Sequence, residues 1–265
     1  MSIGIVYAAV SLGALGLVFG VLLGFAAKKF EVEVDPKIPK LRECLPSANC
    51  GGCGYAGCDA YAEAVASGEA KPNLCSVGGA PVAEKLGEVL GVAVETSAKM
   101  TAFVKCAGTC DKAKTNYDYE GVTDCLEASL LIGEGGKSCS YGCLGLASCV
   151  NVCEFDALHI VDGIAKVDRE KCTMCGACID ICPKGLIEAV PYDKIVRVAC
   201  NSKDAGKAVR DNCSAGCIGC KLCEKNCPKE AVKVDGFLAK VDYSLCVNCK
   251  ICTTKCPTKA IKVID

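Results

Sequence analysis

The sequence predicts an α+β chain made of a single N-terminal transmembrane helix, a small helical domain, and tandem cysteine-rich modules joined by short β-α arms. Three observations carry this reading. Residues 3–27 contain no charged side chain, cysteine fills 26 of 265 positions, and residues 139–190 recur at 213–264 with a constant offset of 74 and no gap. The expected boundaries are an anchor at 1–29, a linker at 30–40, a helical cysteine domain at 41–95, an arm at 96–138, a first module at 139–190, a second arm at 191–212 and a second module at 213–265.

As a helix rising about 1.5 Å per residue, the uncharged run from Ile3 to Ala27 spans roughly 37 Å, against a hydrocarbon core of about 30 Å. No lysine or arginine precedes it, unlike the start of a signal peptide, whereas Lys28 and Lys29 follow at once. The positive-inside rule then keeps that end, and the rest of the chain, in the cytoplasm. The expectation is a single-pass protein of the cytoplasmic membrane. Gly16, Gly20 and Gly24 fall at four-residue intervals on one face, a small-xxx-small stripe that permits close contact with another membrane helix. Glycine is also common in membrane helices for no such reason.

Beyond the acidic, proline-containing linker come Cys50, Cys53, Cys58 and Cys75. Gly51, Gly52, Gly54 and Gly57 give this loop little bulk, so its N–H groups can point at a negatively charged group. Asp59 reads as the N-cap of a helix through Tyr61, Ala64 and Val65 that ends near Gly68. A second helix is expected from Val82 to Leu90. Four thiols suit either zinc or an iron–sulfur cluster.

The repeated modules tip that balance. In the second copy Cys217, Cys220, Cys223 and Cys227 run CxxCxxCxxxC into Pro228, and Cys246, Cys249, Cys252 and Cys256 do the same into Pro257. This is the code of a two-cluster bacterial ferredoxin. Three cysteines at short intervals grip one cluster, and the fourth, beside proline, binds the other. One 4Fe-4S cluster is assigned to Cys217, Cys220, Cys223 and Cys256, and its partner to Cys227, Cys246, Cys249 and Cys252. In the first copy Cys153, Cys172, Cys175 and Cys178 form the matching second set. Zinc sites instead pair two separated CxxC knuckles. Such clusters need reduced thiolates, so this cysteine density argues against a secreted disulfide scaffold.

One site departs from the code, because Leu146 stands where the second copy has Cys220. Cys143, Cys149 and Cys182 therefore need a fourth ligand or hold a 3Fe-4S cluster. Cys139, one helical turn before Cys143, is the candidate ligand, which leaves its counterpart Cys213 spare. Glu154 also replaces the proline expected after Cys153.

In the arms, Ala102 to Cys106 and Ile195 to Cys200 are β-branched runs ending in cysteine, each followed by a helical stretch bearing Cys125 or Cys213. If the two strands pair with each other, Cys106, Cys125, Cys200 and Cys213 come together around a sixth cluster. Otherwise they are buried free thiols that pack as small hydrophobes.

The formal net charge is −1, and no nucleic-acid partner is expected. Residues 213–265 carry nine Lys against five acids, whereas 139–190 carry four Lys or Arg against seven acids. Lys250, Lys255 and Lys259 on the basic module are the candidate docking residues for reduced ferredoxin, because small ferredoxins are typically acidic and charge steers encounter.

The uncharged helix ending in lysines, the segment LPSANCGGCGYAGCDAYAEAV with Cys75 beyond it, and the two ferredoxin repeats together resemble the B-type subunit of the Rnf complex, an ion-pumping membrane ferredoxin:NAD oxidoreductase. The resemblance covers nearly the whole chain, and the N-terminal motif is its most specific part. It implies an electron-transfer subunit that accepts electrons from reduced ferredoxin and relays them through five 4Fe-4S clusters, or six, to other membrane subunits, with flavin and nicotinamide sites elsewhere. The sequence agrees in having no strand-linked GxGxxG, and its one histidine, His159, aligns with Lys233 of the repeat and reads as a surface position. A hydrogenase or formate-dehydrogenase electron-transfer subunit would share the modules, and a redox sensor would share the clusters. Multiplicity favours conduction over sensing. Cys44 and Cys110 receive no role.

Overall fold

The computed structural model describes residues 2–29, 35–94 and 98–264; the first residues of the expected linker and the junction around residue 96 lie outside them. Helix α1, Ser2–Lys29, is 28 residues long, has no acid in its first turn, and ends in Lys28 and Lys29. Leu15, Phe19 and Leu23 on it are exposed, and nothing lies within 4 Å of a Cβ built on Gly16, Gly20 or Gly24. Among the described residues no helix is long and apolar enough to cross a membrane.

Three helices form the N-terminal unit: α2 Lys37–Cys44, α3 Cys58–Ala66 and α4 Gly79–Leu90. They close over Leu41, Tyr61, Ala62, Val65 and Leu86, a small core in which each large apolar side chain contributes about 1.5–3 kcal/mol. Helix α4 starts three residues before the expected Val82, with Pro81 in its first turn where no N–H is needed, and stops at Gly91 in the left-handed conformation. The expected cap of α3 is corrected. Gly57 holds the N-cap position, the Cys58 N–H donates to Asn49 Oδ1 at 2.9 Å, and Asp59 turns outward to accept from Arg42 Nε at 2.6 Å.

After strand β1, Met100–Val104, and helix α5, Cys125–Leu130, the first module runs α6 Ser148–Asn151, β2 Leu158–Val161, β3 Ile164–Val167, α7 Ala177–Asp180 and β4 Ile187–Pro191. Strand β5, Val196–Val198, and helix α8, Gly206–Asn212, form the second arm. The second module then repeats the order as α9 Leu222–Lys225, β6 Val232–Asp235, β7 Leu238–Val241, α10 Ile251–Lys255 and β8 Ile261–Val263. The hairpins share a register, Leu158 opposite Val167 and Val232 opposite Val241. In the first, Asp162 and Gly163 both have positive φ, the twist a two-residue hairpin turn requires.

The expected pairing of one arm strand with the other is corrected. Strand β1 pairs antiparallel with β4, and β5 with β8. Each module ends on a strand with a free edge, and the nearest strand of its own arm covers that edge. Val104 faces Ile187 and Val198 faces Ile261. Because Ile187 and Ile261 are repeat equivalents, the arms are equivalent too. A separate core of Phe103, Ala107, Val190, Ala199 and Ala215 packs the halves together. Arg197, 2% exposed, lies across it, donating from Nη2 to Pro191 O at 2.6 Å and stacking 4.6 Å over the Tyr243 ring.

Candidate metal centres

Among the described residues no three His, Cys, Asp or Glu side chains lie close enough together to hold a single metal ion. The thiols instead stand in groups around small cavities, a spacing suited to a group whose own atoms fill the centre.

In the N-terminal unit Cys58 is buried, with Cys50, Cys53 and Cys75 half-buried. The Gly78 N–H donates to Cys75 Sγ at 3.3 Å. Burial raises the Cys75 thiol, reinforced by its neighbours Cys58, Cys53 and Cys50.

Cys153, Cys172, Cys175 and Cys178 line one cavity of about 20 Å³. The N–H of Ala157 donates to Cys153 Sγ and that of Ala102 to Cys172 Sγ, both at 3.4 Å. Burial pushes the Cys178 thiol up to about 12, with Cys172, Cys175 and Cys153 adding to the effect. In the second module Cys217, Cys220, Cys223 and Cys256 line another. Burial, and after it Cys227, Cys246 and Cys249, raise Cys252 to about 11. The first two of these sets each line one cavity, and Cys252 has Cys227, Cys246 and Cys249 as its thiol neighbours.

The irregular site is different. A cavity of about 20 Å³ is lined by Cys143, Cys149, Cys182 and Cys125, not by Cys139. Burial raises Cys149 to about 12, with Cys143, Cys125 and Cys182 reinforcing it. Asp124 caps α5, accepting from the N–H groups of Leu126 and Glu127 at 2.8 and 3.0 Å. The Ser148 hydroxyl donates to Asp124 Oδ2 at 2.9 Å and accepts from the Cys125 N–H at 2.6 Å, so α5 is fastened to α6 with Cys125 facing Cys149. The expected place of Cys125 among the arm thiols is corrected, because its helix lies against the module. The expected place of Cys139 beside Cys143 is corrected too, since Cys139 opens on the far side of the turn, among Cys106, Cys200 and Cys213. Cys213 lines that same cavity. The missing ligand left a signal in the sequence at Leu146, but nothing there pointed to Cys125.

Cys220 and Cys249 are exposed, as are Lys250, Lys255 and Lys259 of the same module. The repeat equivalent of Cys249 is Cys175, and it is covered: a Cβ on Gly52 would lie 2.8 Å from Cys175 O. The side chain of His159 is 48% exposed, at a strand surface.

Family models agree with this division. A putative Fe-S cluster model matches residues 45–77, a 4Fe-4S binding domain residues 165–188, and a 4Fe-4S dicluster domain residues 216–260. The chain is 46% identical over 233 residues to the B-type subunit of the Na(+)-translocating ferredoxin:NAD(+) oxidoreductase complex of Acetobacterium woodii, covering 88% of this chain and 70% of that protein. It is 44% identical to the B-type subunit of the ion-translocating oxidoreductase complex of Methanosarcina acetivorans, over 87% and 88%. The proton-translocating counterpart in Clostridium ljungdahlii is 46% identical, over 87% and 82%. The chain belongs to the B-type subunit family of ion-translocating oxidoreductase complexes.

For a member of this family, the donor sets fit iron–sulfur clusters on their own chemistry. The thiols are largely buried, which disfavours a lone thiolate, yet many accept backbone N–H groups, which favour negative charge on sulfur. Ala165 donates to Cys143 Sγ and Ala239 to Cys217 Sγ, both at 3.4 Å and both at the same place in the repeat. The sodium-translocating and proton-translocating members are each 46% identical to this chain.

Proposed function

We propose that the chain is the electron-transfer subunit of a membrane-bound, ion-translocating ferredoxin:NAD oxidoreductase, accepting electrons from reduced ferredoxin and relaying them to membrane partner subunits. Five 4Fe-4S clusters are assigned to the chain, each of which takes up and returns one electron at a time. The ligands are Cys50, Cys53, Cys58 and Cys75; Cys153, Cys172, Cys175 and Cys178; Cys125, Cys143, Cys149 and Cys182; Cys217, Cys220, Cys223 and Cys256; and Cys227, Cys246, Cys249 and Cys252. Cys125 as fourth ligand makes the irregular site a four-iron one. Helix α1 is read as the single membrane anchor, with the cysteine-rich part on the cytoplasmic side. Its exposed apolar side chains support this, as does its end in two lysines.

The observation that carries the direction is the unequal cover of two equivalent thiols. Cys175 lies under the loop of Gly52, while Cys249 is open to solvent. Around Cys249 the surface mixes lysines with exposed Leu245, Val247 and Ile251, a basic, partly apolar patch suited to a small acidic redox protein. Electrons enter there and leave at the unit nearest the anchor.

The test is a stopped-flow reduction of the anaerobic full chain by reduced ferredoxin. Cluster bleaching that slows with rising ionic strength is expected. A rate independent of salt would place the entry elsewhere, and no bleaching at all would remove the electron-transfer reading.

A further inference from the structure

Two arm thiols, Cys106 and Cys200, and the first thiol of each module, Cys139 and Cys213, form a site that neither the two-cluster code nor the matched family models account for. Cys106, Cys139, Cys200 and Cys213 line a cavity of about 30 Å³ between the modules, of the same order as the cavities ringed by the coded sets. A Cβ on Gly108 would lie 3.6 Å from both Cys106 Sγ and Cys213 Sγ, so thiols from the two arms face each other across it.

The site is built from two equivalent halves. Cys139 and Cys213 are repeat equivalents 74 residues apart. Cys106 and Cys200 each follow by two residues the arm valine that faces Ile187 or Ile261. Their hydrogen bonds match as well. Cys106 Sγ accepts from the N–H of Gly108, two residues on, and from that of Cys143, both at 3.4 Å. Cys200 accepts from Ser202, two residues on, and from Cys217, the equivalent of Cys143. Cys139 accepts from Tyr141 and Cys213 from Ala215, again two residues on. Free thiols packed as small hydrophobes have no need of N–H donors aimed at every sulfur. The Lys137 ammonium, anchored on Gly108 O and Gly163 O at 3.0 and 2.7 Å, also lines the cavity and offsets negative charge there.

We infer that Cys106, Cys139, Cys200 and Cys213 hold a sixth 4Fe-4S cluster, shared between the two halves of the chain. This rests on the electron-transfer reading above and supplies its middle link. Cys143, a ligand of one module, donates to Cys106, and Cys217, a ligand of the other, donates to Cys200. The site is thus one residue from a cluster on either side. Each transfer is a one-electron exchange in which the cluster nearer Cys249 is oxidised and its neighbour reduced, with no bond made and no proton required.

The experiment counts iron and acid-labile sulfide in the anaerobically purified full chain, with Mössbauer spectra. About twenty-four irons per chain are expected, falling to about twenty in C106A/C200A with one cubane signal lost. In that variant ferredoxin should still bleach the clusters of the second module, while reduction of the first should slow at least tenfold. Cys106→Ser, a smaller change, should show the same loss of iron. About twenty irons in the unaltered chain, or zinc at one per chain in this site, would overturn the inference. If the count is twenty and ferredoxin still reduces the chain, only the sixth site fails. If the count is twenty-four and ferredoxin reduces nothing, the site stands and the electron-transfer reading fails.

Discussion

Gly52, in the N-terminal cysteine loop, packs directly on the backbone of Cys175 in the first module: a Cβ at residue 52 would lie 2.8 Å from Cys175 O and 3.1 Å from its Cα. Only a residue without a side chain permits this approach, and it brings Cys50 beside Cys175, where after burial it is the first of the neighbouring thiols to raise that group, ahead of Cys153 and Cys172. The contact joins two sets of ligands that belong to different units of the chain.

Gly52→Val should therefore separate the two units while leaving each cluster intact. Overpacking of this kind costs about 1–3 kcal/mol. The iron count should stay the same, and reduction of the N-terminal cluster by ferredoxin should lag behind that of the first module. An unchanged lag would mean that the contact lies outside the electron path.

The exchange of Cys125 and Cys139 gives a second expectation. Cys125→Ser should convert the irregular site of the first module to a three-iron form, seen as a new EPR signal in the oxidised protein, and Cys139→Ser should not. Adding Leu146→Cys to Cys125→Ser should restore the four-iron site, because residue 146 occupies the position of Cys220. Failure of this rescue, with the three-iron signal persisting, would show that the irregular site differs from its twin in more than one ligand.

That site also marks the limit of what the residues alone reveal. The coded quartets were legible because their spacing is local and repeated. So was the deficit at Leu146, since the repeat supplies its own control. The substitute ligand was not legible. Thirty-three positions separate Cys106 from Cys139, but only thirteen separate Cys200 from Cys213. Cys125 sits in the extra length, with no counterpart to align to, and only the Asp124–Ser148 hydrogen bonds bring it to Cys149. The pairing of β1 with β4 was hidden for a related reason: two similar strands suggest each other as partners, while the free edge that decides the matter exists only once each module has folded.

Asp124 makes the irregular site sensitive to acid. The N–H of Glu127, the hydroxyl of Ser148 and the N–H of Leu126 hold its carboxyl below the ordinary value, which is about 3.9. A depressed folded pKa contributes stability that is present above the unfolded value and lost as pH falls through the folded one. Between about pH 4 and that lower value α5 should loosen, releasing Cys125 before the other ligands. Brief acid exposure should yield the three-iron signal first, and Asp124→Asn should remove the pH dependence in that window. A three-iron yield that follows pH identically in both proteins would exclude the cap as its cause.

The docking lysines carry the charge expectation. Lys250, Lys255 and Lys259 are exposed on the second module, Lys250 next in sequence to exposed Cys249, and reversing all three to glutamate changes the module's charge by six. Ferredoxin oxidation should slow on the order of ten- to a thousand-fold at low salt, the range over which steering acts, and the deficit should shrink as the Debye length falls below 10 Å. In the first module the thiol equivalent to Cys249 lies against Gly52, and exposed Lys171 is ion-paired with Asp156, so charge reversal at Lys171 should have little effect on ferredoxin oxidation. Equal losses from both modules would point to a general change in net charge rather than to a docking face.

The last expectation concerns α1. Gly16, Gly20 and Gly24 recur every fourth residue, and a Cβ at any of them would meet nothing within 4 Å in this chain. Among the described residues they pack against nothing. If α1 is the membrane anchor proposed above, the repeat faces either another membrane helix or lipid, and the two make different demands. A helix partner needs the close backbone approach that three glycines in register allow, and it loses that approach when one becomes bulky. Lipid gains a little apolar surface from the same change. Gly20→Leu should abolish co-purification with the partner subunits while the iron content and spectrum of the chain remain unchanged. Gly13→Leu, which lies off the four-residue register, should leave the complex intact. If Gly20→Leu assembles normally, the glycine face looks toward lipid, and the contacts that hold the subunit in its complex must be sought on the cytoplasmic side.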